Sequence, residues 1–276
     1  MKNNQGKLFL IPTPIGNLLD ESQRAINALS SVDYIACEDT RNTQKLLQLL
    51  NIKNKTISCH EFNELEIAKK IIFDILEGKN VGYCSDAGLP CISDPGYILV
   101  KEAIKNNIVI EPIPGPNAGL TALIASGFPT SSFEFIGFLD PQISKKEATL
   151  AGLLEKGGTF IVYESPHKIE QTLKSMQKVF GNIDICIARE LTKLHEDFLR
   201  FNLSSYKDYL PSLIGEMVII FFLNKKEDIL SKEDILDKFN KLTNEGLSEK
   251  DAIKAISILF KSKKNYIKDI IIASKN

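Results

Sequence analysis

The chain has 276 residues, 43% hydrophobic and 25% charged, the balance of a globular protein with enough apolar material for one large or two modest cores. Lysine and arginine (34) offset aspartate and glutamate (35), leaving a formal charge of -1, so no global positive field draws it to nucleic acid and any such contact must use local basic patches. The five cysteines are scattered, with no pair at the two-residue gap of zinc and redox motifs, so no metal is expected and the thiols read as reduced.

The first apolar run, 8–11, is cut off by Pro12 and is too short for a secretory segment. The longest, 217–223, has the length of a strand and cannot span a bilayer, so a cytoplasmic protein with no membrane partner is the expectation. Run 8–11 leads through Pro12-Thr13-Pro14-Ile15-Gly16-Asn17 into a helical pattern carried by Ile26, Leu29 and Val32. The alternation recurs: 34–37 before a helix with Leu46, Leu47 and Leu50, then a helix over 67–76 before strand 81–84, then a helix over 97–104 before strand 108–110. Strands apolar on both faces and separated by helices predict a largely parallel sheet.

After Pro112-Ile113-Pro114-Gly115-Pro116 a helix is expected to run to Ser126, and the character then changes. Segments 133–138, 159–163, 183–188, 195–203 and 217–223 read as strands, only some with helices between them, which predicts a mixed sheet. Beyond Asn224 the chain turns Lys- and Glu-rich, with helical repeats at 235–242, 252–260 and 267–272. The expected organisation is an α/β domain over 1–115, a second over 116–225 and a helical appendage over 226–276.

The chemistry sits in the loops. An open α/β sheet binds ligands beyond the carboxyl ends of its strands, where three small-residue turns fall here: Pro14 to Asn17, Ser85-Asp86-Ala87-Gly88, and Pro114-Gly115-Pro116. Small residues let backbone approach a bulky ligand, and Asp86 can accept bonds from a ribose. Asp94, followed by Pro95, fits the N-cap of the next helix. Three such turns suggest one cleft for a flat, adenosine-like ligand. The absence of G-x-G-x-x-G and of a Walker lysine disfavours a nicotinamide dehydrogenase and a triphosphate site. In the second half, Tyr163-Glu164-Ser165-Pro166-His167-Lys168, the charged run from Ala188 through Arg189, Glu190 and Lys193 to Glu196, and Gly215-Glu216 follow or precede apolar strands. For each glutamate, catalysis and ordinary ion pairing both remain open.

Taken together, Thr13-Pro14-Ile15-Gly16-Asn17-Leu18, Glu38-Asp39-Thr40-Arg41, Ser85-Asp86-Ala87-Gly88, Asp94-Pro95-Gly96, Pro114-Gly115-Pro116, Tyr163-Glu164-Ser165-Pro166-His167, Ala188-Arg189-Glu190-Leu191-Thr192-Lys193 and Gly215-Glu216-Met217 give the chain a clear likeness. It resembles the ribosomal RNA small subunit methyltransferase I family, within the tetrapyrrole methylase superfamily, over nearly its whole length. That resemblance implies two α/β domains of the tetrapyrrole-methylase type with S-adenosyl-L-methionine held between them, a small C-terminal helical module, a homodimer, and 2'-O-methylation of a cytidine in the decoding region of the small-subunit RNA or assembled 30S subunit. It also implies cofactor contacts from Pro14, Gly16, Asn17, Ser85, Asp86, Ala87, Gly88, Pro114, Gly115, Pro116, Tyr163 and Ala188. The chain departs from the family pattern after Leu139, where Asp140-Pro141-Gln142-Ile143-Ser144-Lys145-Lys146 replaces a denser basic cluster.

Methyl transfer from a sulfonium to a ribose hydroxyl needs collinear positioning and a base or cation that favours the alkoxide. Glu190, Glu164 and Glu216 are candidates to accept the proton and Arg189 or Lys193 to stabilise the developing charge, with Glu190 and Lys193 the preferred pair. Arg41, Lys145, Lys146 and Lys264 are candidates for phosphate contacts, which set affinity rather than sequence choice. The alternatives are a tetrapyrrole (precorrin-type) methyltransferase and a non-catalytic RNA-binding module that retains a nucleotide cleft.

Overall fold

A computed structural model describes residues 5–225, 232–260 and 263–275, so part of the expected helical tail, 226–231 with 261, 262 and 276, lies outside the described residues. The chain forms two compact units, one of Met1–Leu153 with Gly158–Leu223, the other of Leu154–Gly157 with Asn224–Asn276.

In the first unit, strands β1 (Lys7–Leu10), β2 (Tyr34–Cys37), β3 (Thr56–Ser58), β4 (Val81–Cys84) and β5 (Val109–Pro112) form a sheet in the order β3-β2-β4-β1-β5. Every pairing in it is parallel. Such a sheet must bury both faces. Helices α1 (Gln23–Ser31) and α2 (Thr40–Leu49) cover one face, packing Leu29 and Leu47 onto Ile11 and Ile35. Helices α3 (Glu64–Leu76) and α4 (Tyr97–Lys105) cover the other, packing Ile71, Ile75 and Leu99 onto Leu8 and Tyr83. From β1 the chain crosses to β2 on one side, whereas from β4 it crosses β1 to reach β5 on the other. The adjacent ends of β1 and β4 therefore feed connections that diverge, and a crevice opens between them.

The second sheet of this unit follows α5 (Ala118–Ser126) and comprises β6 (Phe133–Phe138), β7 (Gly158–Glu164), β8 (Asp184–Arg189), β9 (Asp197–Asn202) and β10 (Met217–Leu223) in the order β6-β7-β10-β8-β9. Helices α6 (Ile143–Lys156), α7 (Ile169–Phe180) and the single turn α8 (Tyr206–Tyr209) complete it. Only β6 and β7 run parallel; β10 lies antiparallel between β7 and β8. Its first residue, Met217, pairs with Glu164 on one side and Arg189 on the other, so the ends of β7 and β8 and the start of β10 meet at one edge. In the second unit, α9 (Lys232–Asn244), α10 (Glu249–Leu259) and α11 (Lys264–Lys275) bury Ile235, Phe239, Ile256 and Ile271 together.

The α/β architecture with two sheets and terminal helices is the one expected. Three details differ. The short edge strand β3 was not anticipated, since three residues carry no periodicity. The strand expected over 195–203 starts only at Asp197, because Glu196 closes a turn by accepting from the Thr192 amide at 2.6 Å. Asp94 does not cap α4. The N-cap is Gly96, at φ 124°, and the buried Glu64 carboxylate accepts from the amides of Gly96, Ile98 and Leu99 at 3.0, 2.8 and 3.2 Å.

A side chain from α3 thus satisfies donors that a helix start leaves unpaired. Glu64→Ala strands them in a buried place and is expected to destabilise the protein by about 2 kcal/mol in urea unfolding, with Glu64→Gln recovering most of the loss.

Candidate active site

Loops from both sheets of the first unit enclose a cavity of about 310 Å³. From the first sheet come Ile15 in the β1 turn, Ala87, Gly88, Leu89, Ile92, Ser93 and Asp94 after β4, and Asn117 and Ala118 at the start of α5. From the second come Phe138, Tyr163 to Pro166, Leu191 and Glu216 to Val218. The two turns of the first sheet are tied at the switch point, where Thr13 and Gly88 exchange both backbone hydrogen bonds at 2.9 Å.

Tyr163 joins the two halves. Its hydroxyl accepts from the Gly119 amide at 3.0 Å, and its ring stands edge-on to Phe135 and Phe138 at 5.0 and 5.7 Å between centroids. Burial raises the Tyr163 hydroxyl above its ordinary pKa, so it stays neutral. Below it, Glu164 is buried, taking the Thr172 hydroxyl at 2.5 Å and the Ser165 amide at 2.8 Å. Lys146, fully buried, donates to the same Thr172 hydroxyl at 2.6 Å and stands 4.0 Å from Glu164. Desolvation lowers its pKa, with Glu164 opposing. Lys146 is therefore a correction to the expected phosphate contacts: the ammonium faces inward, out of reach of RNA.

At the rim, Lys193 bridges Glu190 and Glu216 at 3.1 and 2.9 Å. Desolvation depresses its pKa, but the two carboxylates outweigh that and hold it above the ordinary lysine value. Glu190 is held below the usual carboxylate range, first by the Glu216 amide, 3.0 Å from Oε1, and then by Lys193. Its carboxylate occupies the place where a side chain at residue 215 would begin: a Cβ on Gly215, at φ 81°, would lie 2.2 Å from Glu190 Oε1. Gly16 has a similar constraint, since a Cβ there would lie 2.6 Å from Lys193 Cγ and 2.9 Å from the Leu191 carbonyl oxygen. Bare backbone at Gly16 thus lets the β1 turn lie against the 191–193 turn. Arg189 pairs with Asp197 at 3.6 Å.

Of the twelve expected cofactor contacts, Ala87, Gly88 and Tyr163 line the cavity. The other nine do not, and several have evident supporting contacts. Asn17 accepts from the Leu19 amide, and the Ser85 carbonyl accepts from the Thr13 hydroxyl. Asp86 accepts from the Asp39 amide and the Asn42 side chain at 3.2 and 2.8 Å, linking the β4 turn to the start of α2. Gly115 packs on Pro12, and Ala188 is buried in the core of the second sheet. Pro14, Pro114 and Pro116 belong to the same turns. Among the phosphate candidates, Arg41 and Lys145 are exposed and paired with Asp39 and Asp140, and Lys264 is exposed on α11 of the other unit. Sequence reasoning pointed to the Pro14 to Asn17 loop, which supplies Ile15, but missed the rest of the apolar lining, Phe138, Leu191 and Val218, although each lies in or beside a motif singled out for its polar or small residues.

Asp94, misread as a cap, lines the cavity, and burial pushes its carboxyl up to about 6 despite a bond from Ser85. A carboxyl whose folded pKa is raised loses stability as pH climbs from about 4 through about 6, because the folded state then has to carry a desolvated charge. Asp94→Asn removes that penalty. Its melting temperature is expected to exceed wild type by more at pH 8 than at pH 4.5; an equal difference at both would contradict the burial of this charge.

Comparison with known proteins agrees with this geometry. Residues 7–206 match the family described as Tetrapyrrole (Corrin/Porphyrin) Methylases. The chain is 39% identical to the ribosomal RNA small subunit methyltransferase I of Bacillus subtilis over 93% of its own length and 91% of that protein. With the protein of the same name from Halalkalibacterium halodurans it shares 50% identity, over 72% of this chain and 69% of that one. Among solved structures, diphthine synthase superposes with a TM-score of 0.63 at 10% identity, covering 79% of this chain and 90% of that one. The uroporphyrin-III-C-methyltransferase of Thermus thermophilus does so at 0.57 and 16%, covering 79% and 94%; both likenesses concern the fold alone. With its two sheets, its cavity at their shared edge and relatives alike over nearly the full length, the chain belongs to the ribosomal RNA small subunit methyltransferase I family of tetrapyrrole methylases.

Proposed function

We propose that this chain is an S-adenosylmethionine-dependent methyltransferase that modifies the ribose 2'-hydroxyl of a cytidine in the decoding region of small-subunit ribosomal RNA. A homodimer, working in the cytoplasm on small-subunit ribosomal RNA or the assembled 30S subunit, belongs to the same proposal. The observation that carries it is the cavity itself, set where strand ends of both sheets converge in a chain of this family. At about 310 Å³ it lies at the lower end of the range for small-molecule sites, roughly 300–1,000 Å³. Its walls fit the cofactor in kind. Ile15, Leu191 and Val218 offer apolar surface for a flat base, Ala87, Gly88 and Ala118 leave room for close approach, and Asp94 and Glu164 offer polar contacts.

S-adenosylmethionine supplies, when bound, a methyl group on a positively charged sulfur. The rest falls to the chain. Phe138, Tyr163 and the apolar walls exclude water, which strengthens every charge interaction inside. Holding the two reactants in line supplies about 7–11 kcal/mol of barrier reduction. The ribose hydroxyl must lose its proton as its oxygen takes the methyl carbon, and Lys193, charged and at the rim, stabilises the negative charge that builds on that oxygen. Glu190, already accepting bonds from Lys193 and the Glu216 amide, is a weak base, and its part is to hold Lys193 in place. Glu216, which lines the cavity with its side chain 80% exposed, takes the proton toward solvent. Arg189, engaged by Asp197, supports the turn.

The tetrapyrrole alternative has behind it solved structures alike in fold at 16% identity. Incubation with labelled S-adenosylmethionine and small ribosomal subunits lacking the modification, followed by nucleotide mapping, is expected to place the label on a cytidine 2'-oxygen. Label carried by a tetrapyrrole and not by the subunits would reverse the assignment. Lys193→Met is expected to lower kcat by on the order of 10²-fold while calorimetric affinity for S-adenosylhomocysteine changes little.

A further inference from the structure

Helix α2 borders a second concavity, an open groove of about 750 Å³ on the α1/α2 side of the first sheet. Its lining holds three cations, Arg41, Lys45 and Lys53, with amides such as Gln48 and Asn51 between them, and no acidic residue. In a chain whose formal charge is -1, that is a local concentration of one sign. The pattern follows from helix geometry. Arg41, Lys45 and Gln48 fall at i, i+4 and i+7, one exposed stripe, while Thr43 and Leu47 face the core. Lys45 and Lys53 are exposed and have no ion pair among the described residues, so their charges are available to a ligand. Arg41 is engaged by Asp39 through both carboxylate oxygens, so it lends positive charge to the groove edge while Lys45 and Lys53 are left to make the contacts.

Hydrogen bonds link the border of the groove to the border of the cavity. Arg41 is held by Asp39, and the Asp39 amide donates to Asp86, the residue before the cavity-lining Ala87. The start of α2 thus lies beside the turn that carries the cavity-lining Ala87 and Gly88, on the side from which a strand bound at the cavity could extend. Arg41 and Lys45 are separated by a rise of about 6 Å along the helix, a step that suits successive phosphates of an extended strand.

We propose that the α2 groove is the phosphate-tracking surface for the single-stranded RNA flanking the target nucleotide, with Lys45 and Lys53 as its principal contacts. This rests on the ribosomal RNA reading above and extends it to residues that the family motifs do not include.

The test is salt-dependent binding of a fluorescent single-stranded oligoribonucleotide to the whole protein, read by anisotropy, beside binding of small ribosomal subunits. Each phosphate contact to a single strand contributes about 0.7 to the slope of log K against log salt. The double variant Lys45→Gln, Lys53→Gln is expected to bind several-fold more weakly and to lose about 1.4 from that slope, with S-adenosylhomocysteine affinity unchanged. A control, Lys69→Gln with Lys70→Gln on α3, makes the same charge change on the opposite face and is expected to keep the wild-type slope. An unchanged slope in the groove variant, or an equal drop in the control, overturns the proposal. Weaker subunit binding with unchanged oligoribonucleotide binding overturns it in favour of a protein contact. A wild-type protein that binds neither RNA nor subunits removes the ribosomal RNA reading itself, a failure distinct from the others.

Discussion

The hydrogen bond from the Gly119 amide to the Tyr163 hydroxyl joins two things that the chain makes separately. Helix α5 leaves the first sheet through the proline-rich turn after β5, and Tyr163 ends the central region of the second sheet. Among buried neighbours, Ala122 and Leu123 of α5 pack on Ile161, Ala188 and Ile220, so the same helix closes the apolar core beneath. This joint, with the close approach of the β1 turn at Gly16 to the 191–193 turn, sets the cavity residues of one sheet against those of the other. The bond is partly buried, which strengthens it relative to one in open solvent.

Charge around the cavity is arranged in two layers. The inner one is paired and buried: Lys146 and Glu164 meet through the Thr172 hydroxyl, which accepts from the ammonium and donates to the carboxylate. Such a pair stabilises little on balance but leaves few alternative positions for the carboxylate at the cavity wall. The outer layer is wetter. Lys193 lies between two glutamates, and the Glu216 side chain faces solvent. A fixed inner ion pair and a solvent-facing outer one thus border the same cavity.

Most of this architecture was legible in the sequence because apolar periodicity reports directly on burial. Runs such as 81–84 and 217–223 are strands buried on nearly every residue, and the helices between them declare one apolar face. The site was legible to a lesser degree, for a physical reason. Turn-forming residues announce where the chain must bend, so Pro14, Gly16, Gly115 and Pro116 stand out, yet much of what they do is shape backbone. The surfaces that face the cavity are supplied by the apolar residues they carry, Ile15 and Leu191 among them, which look like any other core residue. Asp94 was read through Pro95 as a cap because local chemistry allows it; the cap is supplied instead by Glu64, about thirty residues earlier, a contact no local pattern records. Lys146 looked like a surface charge for the same reason, since its partner on α7 is remote in sequence.

Six non-glycine residues among those described have positive φ, and the two asparagines among them are ordinary. The other four, Cys91, Ser93, Glu190 and Thr192, fall in the two turns that border the cavity. Each such conformation costs about 1–3 kcal/mol, sustained by the packing around it. Laboratory evolution for heat resistance would find its readiest gains here, through glycine, and each gain would loosen the rim that orients the reacting groups. Thermal hardening of this enzyme should therefore be sought in the helical faces remote from these turns.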